Sequence, residues 1–172
     1  MSTSTTNDLQ RLTTDELGFG EVNSIEFAIY VTQLALKRGN FINTTRLQKW
    51  VYICYGSYLH LYRKQLLTET PKAWQYGPFF PEIHSRQLEY KGTLSGLIPL
   101  IDQEKFKKYD PLITDVLEHF GHWTAEQLVE WTHEENRAWF KKYHSEGGRF
   151  TALDNEDILS DFSEYMNSDA SI

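Results

Sequence analysis

The 172-residue sequence contains a single cysteine, Cys54. A lone thiol excludes a disulfide within the chain and any zinc knuckle built from several cysteines. No run of about 20 apolar residues is present, so no membrane-spanning helix is available. The first seven residues, MSTSTTN, have neither the basic start nor the apolar stretch of a secretory signal. These absences lead to the expectation of a cytoplasmic, disulfide-free protein. Catalytic signatures are missing too: there is no G-x-S-x-G, Walker loop, G-x-G-x-x-G or H-E-x-x-H. The basic excess of a nucleic-acid binder is also lacking, because the net charge is −7. That charge sits at the ends, with −3 in residues 1–22 and −6 in 150–172, which leaves +2 for 23–149. An acidic end repels nucleic acid, aids solubility, or meets a basic protein partner.

The histidines and carboxylates do not assemble into a recognisable site. His119 and His122 are three apart, but Gly121 interrupts the helix between them. His133-Glu134-Glu135 offers nitrogen and oxygen ligands, yet a metal needs three or four converging groups. Cys54 falls on an apolar helical stripe and reads as a small filler of the core. The sequence therefore assigns no catalytic residue, metal ligand or cofactor.

The chain is about one domain long, and its pattern is helical. Ser24 suits an N-cap for a helix over 25–38, striped by Ile25, Ala28, Ile29, Thr32, Ala35 and Leu36. Thr44 suits the cap of a second helix, to about Lys64. Leu47, Trp50, Val51, Cys54, Tyr58, Leu61 and Tyr62 fall on one face of it, with Tyr52, Ile53 and Leu59 beside them. A helix apolar on most sides belongs at the centre of a fold. Further helices are expected at 81–90, opened by Pro81; from Asp110-Pro111 to Gly121; from the capping box Thr124–Gln127; over 137–144; and over 155–166 after Asp154. Leu66–Thr70 and Lys72–Tyr76 read as short strands, with Gly77-Pro78 as a turn. Residues 92–109 read as irregular, with Pro99 inside the apolar patch Leu97–Ile101. The expected fold is mainly α: a compact single-domain bundle of six or seven helices with a small β-hairpin around 66–76. Residues 1–22 read as a flexible polar arm with a short turn near Leu9–Leu12, 23–167 as the helical domain, and 168–172 as an acidic tail.

Aromatic residues are plentiful, and ten of the 25 fall within residues 50–90. Trp74, Tyr76, Phe79 and Phe80 flank the Gly77-Pro78 pair. Rings on rigid loops are favoured contacts in protein interfaces, because they bury much area at small entropic cost. Packing between helices is the alternative use for them.

Three segments carry a resemblance. They are Arg46–Tyr55 (RLQKWVYICY), Ala73–His84 (AWQYGPFFPEIH) and Thr132–Trp139 (THEENRAW). Together they resemble the Panacea domain, the SocA-like antitoxin and phage-associated family, over about residues 24–166. The family-motif and structural positions are Gln48, Lys49, Tyr52, Gly77, Pro78, Pro81, His84, Thr132, His133, Glu135 and Trp139. The chain departs from the family pattern at Trp50 and Val51, at Phe79 and Phe80, at His84, and at Ala138 before Trp139. The resemblance implies an antitoxin that binds a cognate protein toxin encoded by a neighbouring gene, without enzymatic activity. It also implies an alternative, a proteolytic adaptor that hands a bound toxin to a Clp-type protease. Some family members carry an added DNA-binding domain, for which residues 1–22 are too short. The expected partner contacts are Trp74, Tyr76, Phe79, Phe80 and Arg86, with helix 155–166 steering a basic toxin. Thr132 and His133 are expected to lock the Tyr76-Gly77-Pro78 turn through hydrogen bonds.

Overall fold

The computed structural model describes residue 20 and residues 22–170. The remainder of the polar arm, with its turn near Leu9–Leu12, lies outside the described residues, as do the side chains of the acidic tail from 168 onward. Eight helices and one two-stranded antiparallel sheet make up the described residues. The helices are α1 (Ser24–Lys37), α2 (Thr44–Tyr62), α3 (Pro81–Glu89), α4 (Gln103–Phe106), α5 (Asp110–Phe120), α6 (Ala125–Thr132), α7 (Ala138–Tyr143) and α8 (Asn155–Ala170). The strands are β1 (Lys72–Trp74) and β2 (Gly77–Phe79).

Helix α2 is the axle of the fold. It packs on α1, α3, α5, α6, α8 and β2, and every residue from Arg46 to Ser57 is buried. Being apolar on most sides, it belongs at the centre. The last turn differs from the sequence expectation: Leu61 and Tyr62 are about half exposed. There the helix runs past its neighbours, and these side chains line an open groove with Tyr58, Pro111, Leu112 and Met166. Cys54 is fully buried, and burial pushes its thiol well above the usual range, as suits a core filler.

Both long N-terminal helices begin one residue earlier than their hydroxyls suggest. Asn23 and Asn43 are the N-caps, each side chain accepting the backbone N–H three residues on, from Glu26 and Arg46. Ser24 is thereby released to donate to Glu69 at 2.8 Å. The box at Thr124 and Gln127 forms with both reciprocal bonds, and Asp154 accepts the Glu156 N–H at the start of α8. Helix α8 continues to Ala170, four residues beyond the expected end. The segment 92–109 is not irregular: a 3-10 turn spans Ser95–Leu100, and the one-turn helix α4 follows, capped by Asp102. That extra turn raises the helix count to eight.

The hairpin is displaced from its expected place. Lys72 pairs with Phe79, Ala73 with Pro78 and Trp74 with Gly77, so Gln75-Tyr76 form the turn and Gly77-Pro78 belong to a strand. Proline is tolerated because Ala73 directs its backbone to the other side, donating to Thr151 and accepting from Phe150. The pairing at that register thus needs no N–H from residue 78. Leu67, expected in the first strand, instead bridges Val22, which is itself buried.

Candidate functional site

The hairpin is fastened from behind by side chains of α2, α6 and α7. Gln48 grips the backbone of Phe80 at both ends, its amide oxygen accepting the Phe80 N–H at 2.8 Å and its amide nitrogen donating to the Phe80 carbonyl at 3.2 Å. Gln87 of α3 supports that grip and also donates to the Thr44 carbonyl. The next residue of α2, Lys49, donates from Nζ to the Pro78 carbonyl at 3.0 Å. Gly77 sits between these groups with φ of 106°, and a β-carbon there would lie 2.7 Å from Thr132 Oγ1 and 3.0 Å from Lys49 Cε. Only glycine meets both demands, the left-handed backbone and the close approach.

The expected hydrogen-bonded lock from Thr132 and His133 takes a different form. Thr132 Oγ1 donates to Val129 within its own helix and meets Gly77 by packing. His133 lies flat on Trp139, centroids 3.8 Å apart and planes within 4°. Trp139 then donates its indole N–H to the Trp74 carbonyl at 2.6 Å. His133 therefore acts on the hairpin through a stacked ring and not through a bond of its own. Burial, then the charges of Lys49 and His144, hold His133 below the usual imidazole range. Its Nε2 is buried without a partner.

Lys49 is the most unusual residue of the site. It is 2% exposed, and burial pulls its pKa down to about 7. No carboxylate among the described residues forms an ion pair with it.

In front of this scaffold the rings form a shelf. Trp74 contacts Phe79, His84 and Tyr76 at centroid distances of 4.7, 5.2 and 5.3 Å. Tyr76 is 51% exposed, and Trp74, Phe79, His84 and Arg86 are half-buried. A cleft of about 220 Å³ runs under the shelf, walled by Thr44, Thr45, Gln48, Lys49, Trp74, Tyr76, Phe79 and His84. A second groove, about 470 Å³, lies on the other side of Tyr76 against Val129, Glu126 and Glu130 of α6.

One expected contact residue is corrected. Phe80 is fully buried, packed against Tyr55 at 5.9 Å, so its ring is a core anchor and offers no surface to a partner. Of the remaining expected residues, Arg86 pairs with Glu89 on the outer face of α3, away from the cleft walls. Tyr52 is buried edge-on to Phe162, Pro81 opens α3, and Glu135 is exposed in the α6–α7 turn. Sequence reading missed Thr44 and Thr45 as cleft walls, although their i, i+4 spacing to Gln48 and Lys49 puts each pair on one face. It also missed two carboxylates that cap helices from afar. Glu69 accepts the Glu82 N–H at the start of α3, and Asp161 accepts the Ala138 N–H at the start of α7. No local spacing reveals either bond.

The residues joined here, Gln48 and Lys49 with Gly77-Pro78, Thr132-His133 and Trp139, come from three separated segments. A family model described as "Antitoxin SocA-like, Panacea domain" matches residues 47–140, which span all three. The chain belongs to the SocA-like antitoxin family. Within the matched span, Gln48, Lys49, Thr132 and Trp139 fasten the hairpin from behind, and the exposed rings are carried on its front. No curated protein and no solved structure matches the chain. Among the described residues, no three His, Cys, Asp or Glu side chains converge as a metal set would, and no helix is long and apolar enough to cross a membrane.

Proposed function

We propose that this chain is the antitoxin of a toxin–antitoxin pair and neutralises a protein toxin, encoded next to it, by direct binding in the cytoplasm. It acts as a binding protein, not as an enzyme. The observation that carries this reading is the division of labour in the hairpin: buried groups fix the backbone, while Tyr76, Trp74 and Phe79 present a rigid ring surface. Pre-fixed rings lose little freedom on binding, which is why such residues dominate interface energies. A stable complex would bury roughly 1,600 Å² in total, enough to cover a toxin's active site or substrate path.

Co-expression tests the reading. The product of the adjacent reading frame should arrest growth alone and not with this chain, and the two should co-purify. Tyr76→Asp should remove rescue while the variant stays folded. Rescue by folded Tyr76→Asp would discard the hairpin as the contact. Rescue that disappears only in a host lacking Clp-type proteases would replace direct neutralisation with the adaptor mechanism.

A further inference from the structure

We propose that the cleft under the ring shelf is a carboxylate site, and that the partner protein inserts an acidic side chain there against Lys49. The inference deepens the antitoxin reading and rests on it for the partner's being a protein toxin.

Three observations point to that chemistry. First, Lys49 lines the cleft while being almost wholly buried. Its ammonium has three N–H donors, and only the Pro78 carbonyl takes one, at 3.0 Å. Second, no described carboxylate forms an ion pair with it, although it is buried. A buried cation without a counter-ion is costly, and the cleft that Lys49 helps to line is space a counter-ion could enter. Third, the rest of the lining suits an acid on a short stem. Thr44 and Thr45 add hydroxyl donors from the first turn of α2, whose positive end favours an anion. Trp74 and Phe79 form an apolar wall for the methylenes, with the His84 ring beside them. The volume of about 220 Å³ admits one side chain and not a helix or strand.

Two measurements decide this. In the first, the wild-type chain is titrated with phenylacetate, benzyl alcohol and benzylamine, read by amide and indole NMR shifts. Phenylacetate should give saturable shifts at Gly77 and the Trp74 indole, with at least tenfold weaker response to benzyl alcohol and none to benzylamine. Equal response to all three, or no saturation, overturns the carboxylate site without any variant being needed. In the second, Lys49→Met is co-expressed with the adjacent gene's product after its fold is checked by NMR. Loss of complex and of rescue, at least tenfold in affinity, supports the proposal. A folded Lys49→Met that rescues as wild type does overturns it and leaves the antitoxin reading standing. Wild type that fails to rescue speaks against the antitoxin reading itself, and the proposal of an inserted toxin side chain falls with it, whatever the titration shows of the cleft.

Discussion

The lone lysine behind the hairpin should write itself into the pH dependence of stability. An ordinary lysine titrates near 10.5, and burial brings Lys49 to about 7. Between those values the unfolded chain holds a proton that the folded chain has released. Stability therefore rises with pH across that window, because the unfolded state binds more protons. At 1.36 kcal/mol per pKa unit, the buried amine costs the fold about 4 kcal/mol at pH 7 and about 2 kcal/mol at pH 9. Lys49→Met removes that cost and strands the Pro78 carbonyl, at about 1–3 kcal/mol. The variant should then be more stable than wild type by roughly 1–3 kcal/mol at pH 7, and close to it at pH 9. Urea unfolding of both chains from pH 6 to pH 9 gives the difference directly. Ionisation of the Cys54 thiol in the unfolded chain lowers stability at the alkaline end, but equally in both proteins, so the difference isolates Lys49. Parallel curves, with no convergence over this range, would refute the claim that the lysine is dehydrated and unpaired.

The other expectations concern the hairpin and its supports. Phe80→Ala should cost about 3–5 kcal/mol in urea unfolding, as for other fully buried rings; a loss under 1 kcal/mol would show that the ring is not core. Tyr76→Ala should change stability by no more than about 0.5 kcal/mol while weakening the complex with the toxin, and calorimetry on the purified pair would show both. Gly77→Ala should lower the melting temperature, since φ of 106° and the contact with Thr132 Oγ1 both oppose a β-carbon; an unchanged value would mean the turn can relax. Burial raises the Asp161 carboxyl to about 6, above its unfolded value. Its contribution is then fully present below about pH 4 and lost as pH rises through 6. Asp161→Asn, which still offers an oxygen to Ala138, should flatten the stability curve over that interval, and an unaltered slope would count against the assignment.

Much of the fold was legible because its signals are local. The apolar stripes of α1, α2, α5 and α8, the Thr124 box and Pro81 each act within one or two turns of chain. Errors at the starts of α1 and α2 came from reading the hydroxyls of Ser24 and Thr44 as caps, where Asn23 and Asn43 one residue earlier take that role; at α1 the Ser24 hydroxyl is engaged instead with Glu69. The hairpin was misplaced because Pro78 argues for a turn unless its missing donor is not needed, and that depends on residues 150–151 pairing with Ala73 from more than seventy positions away. Within the site, spacing and resemblance together gathered Gln48, Lys49, Gly77, Thr132 and Trp139. They did not separate Phe79 from Phe80, since adjacent rings on a strand end face opposite ways and no composition argument says which way is in.

Helices α3 and α7 carry no side-chain cap of their own, and each borrows one, from Glu69 and from Asp161. The latter loan ties distant parts of the molecule into a single mechanical linkage. Asp161 sets the first turn of α7, that turn seats Trp139, and Trp139 holds the carbonyl of Trp74. A lesion near the C-terminal end is therefore transmitted to the exposed rings without touching them. Shortening the chain ahead of α8 would not spare the presenting surface; it would unfasten it.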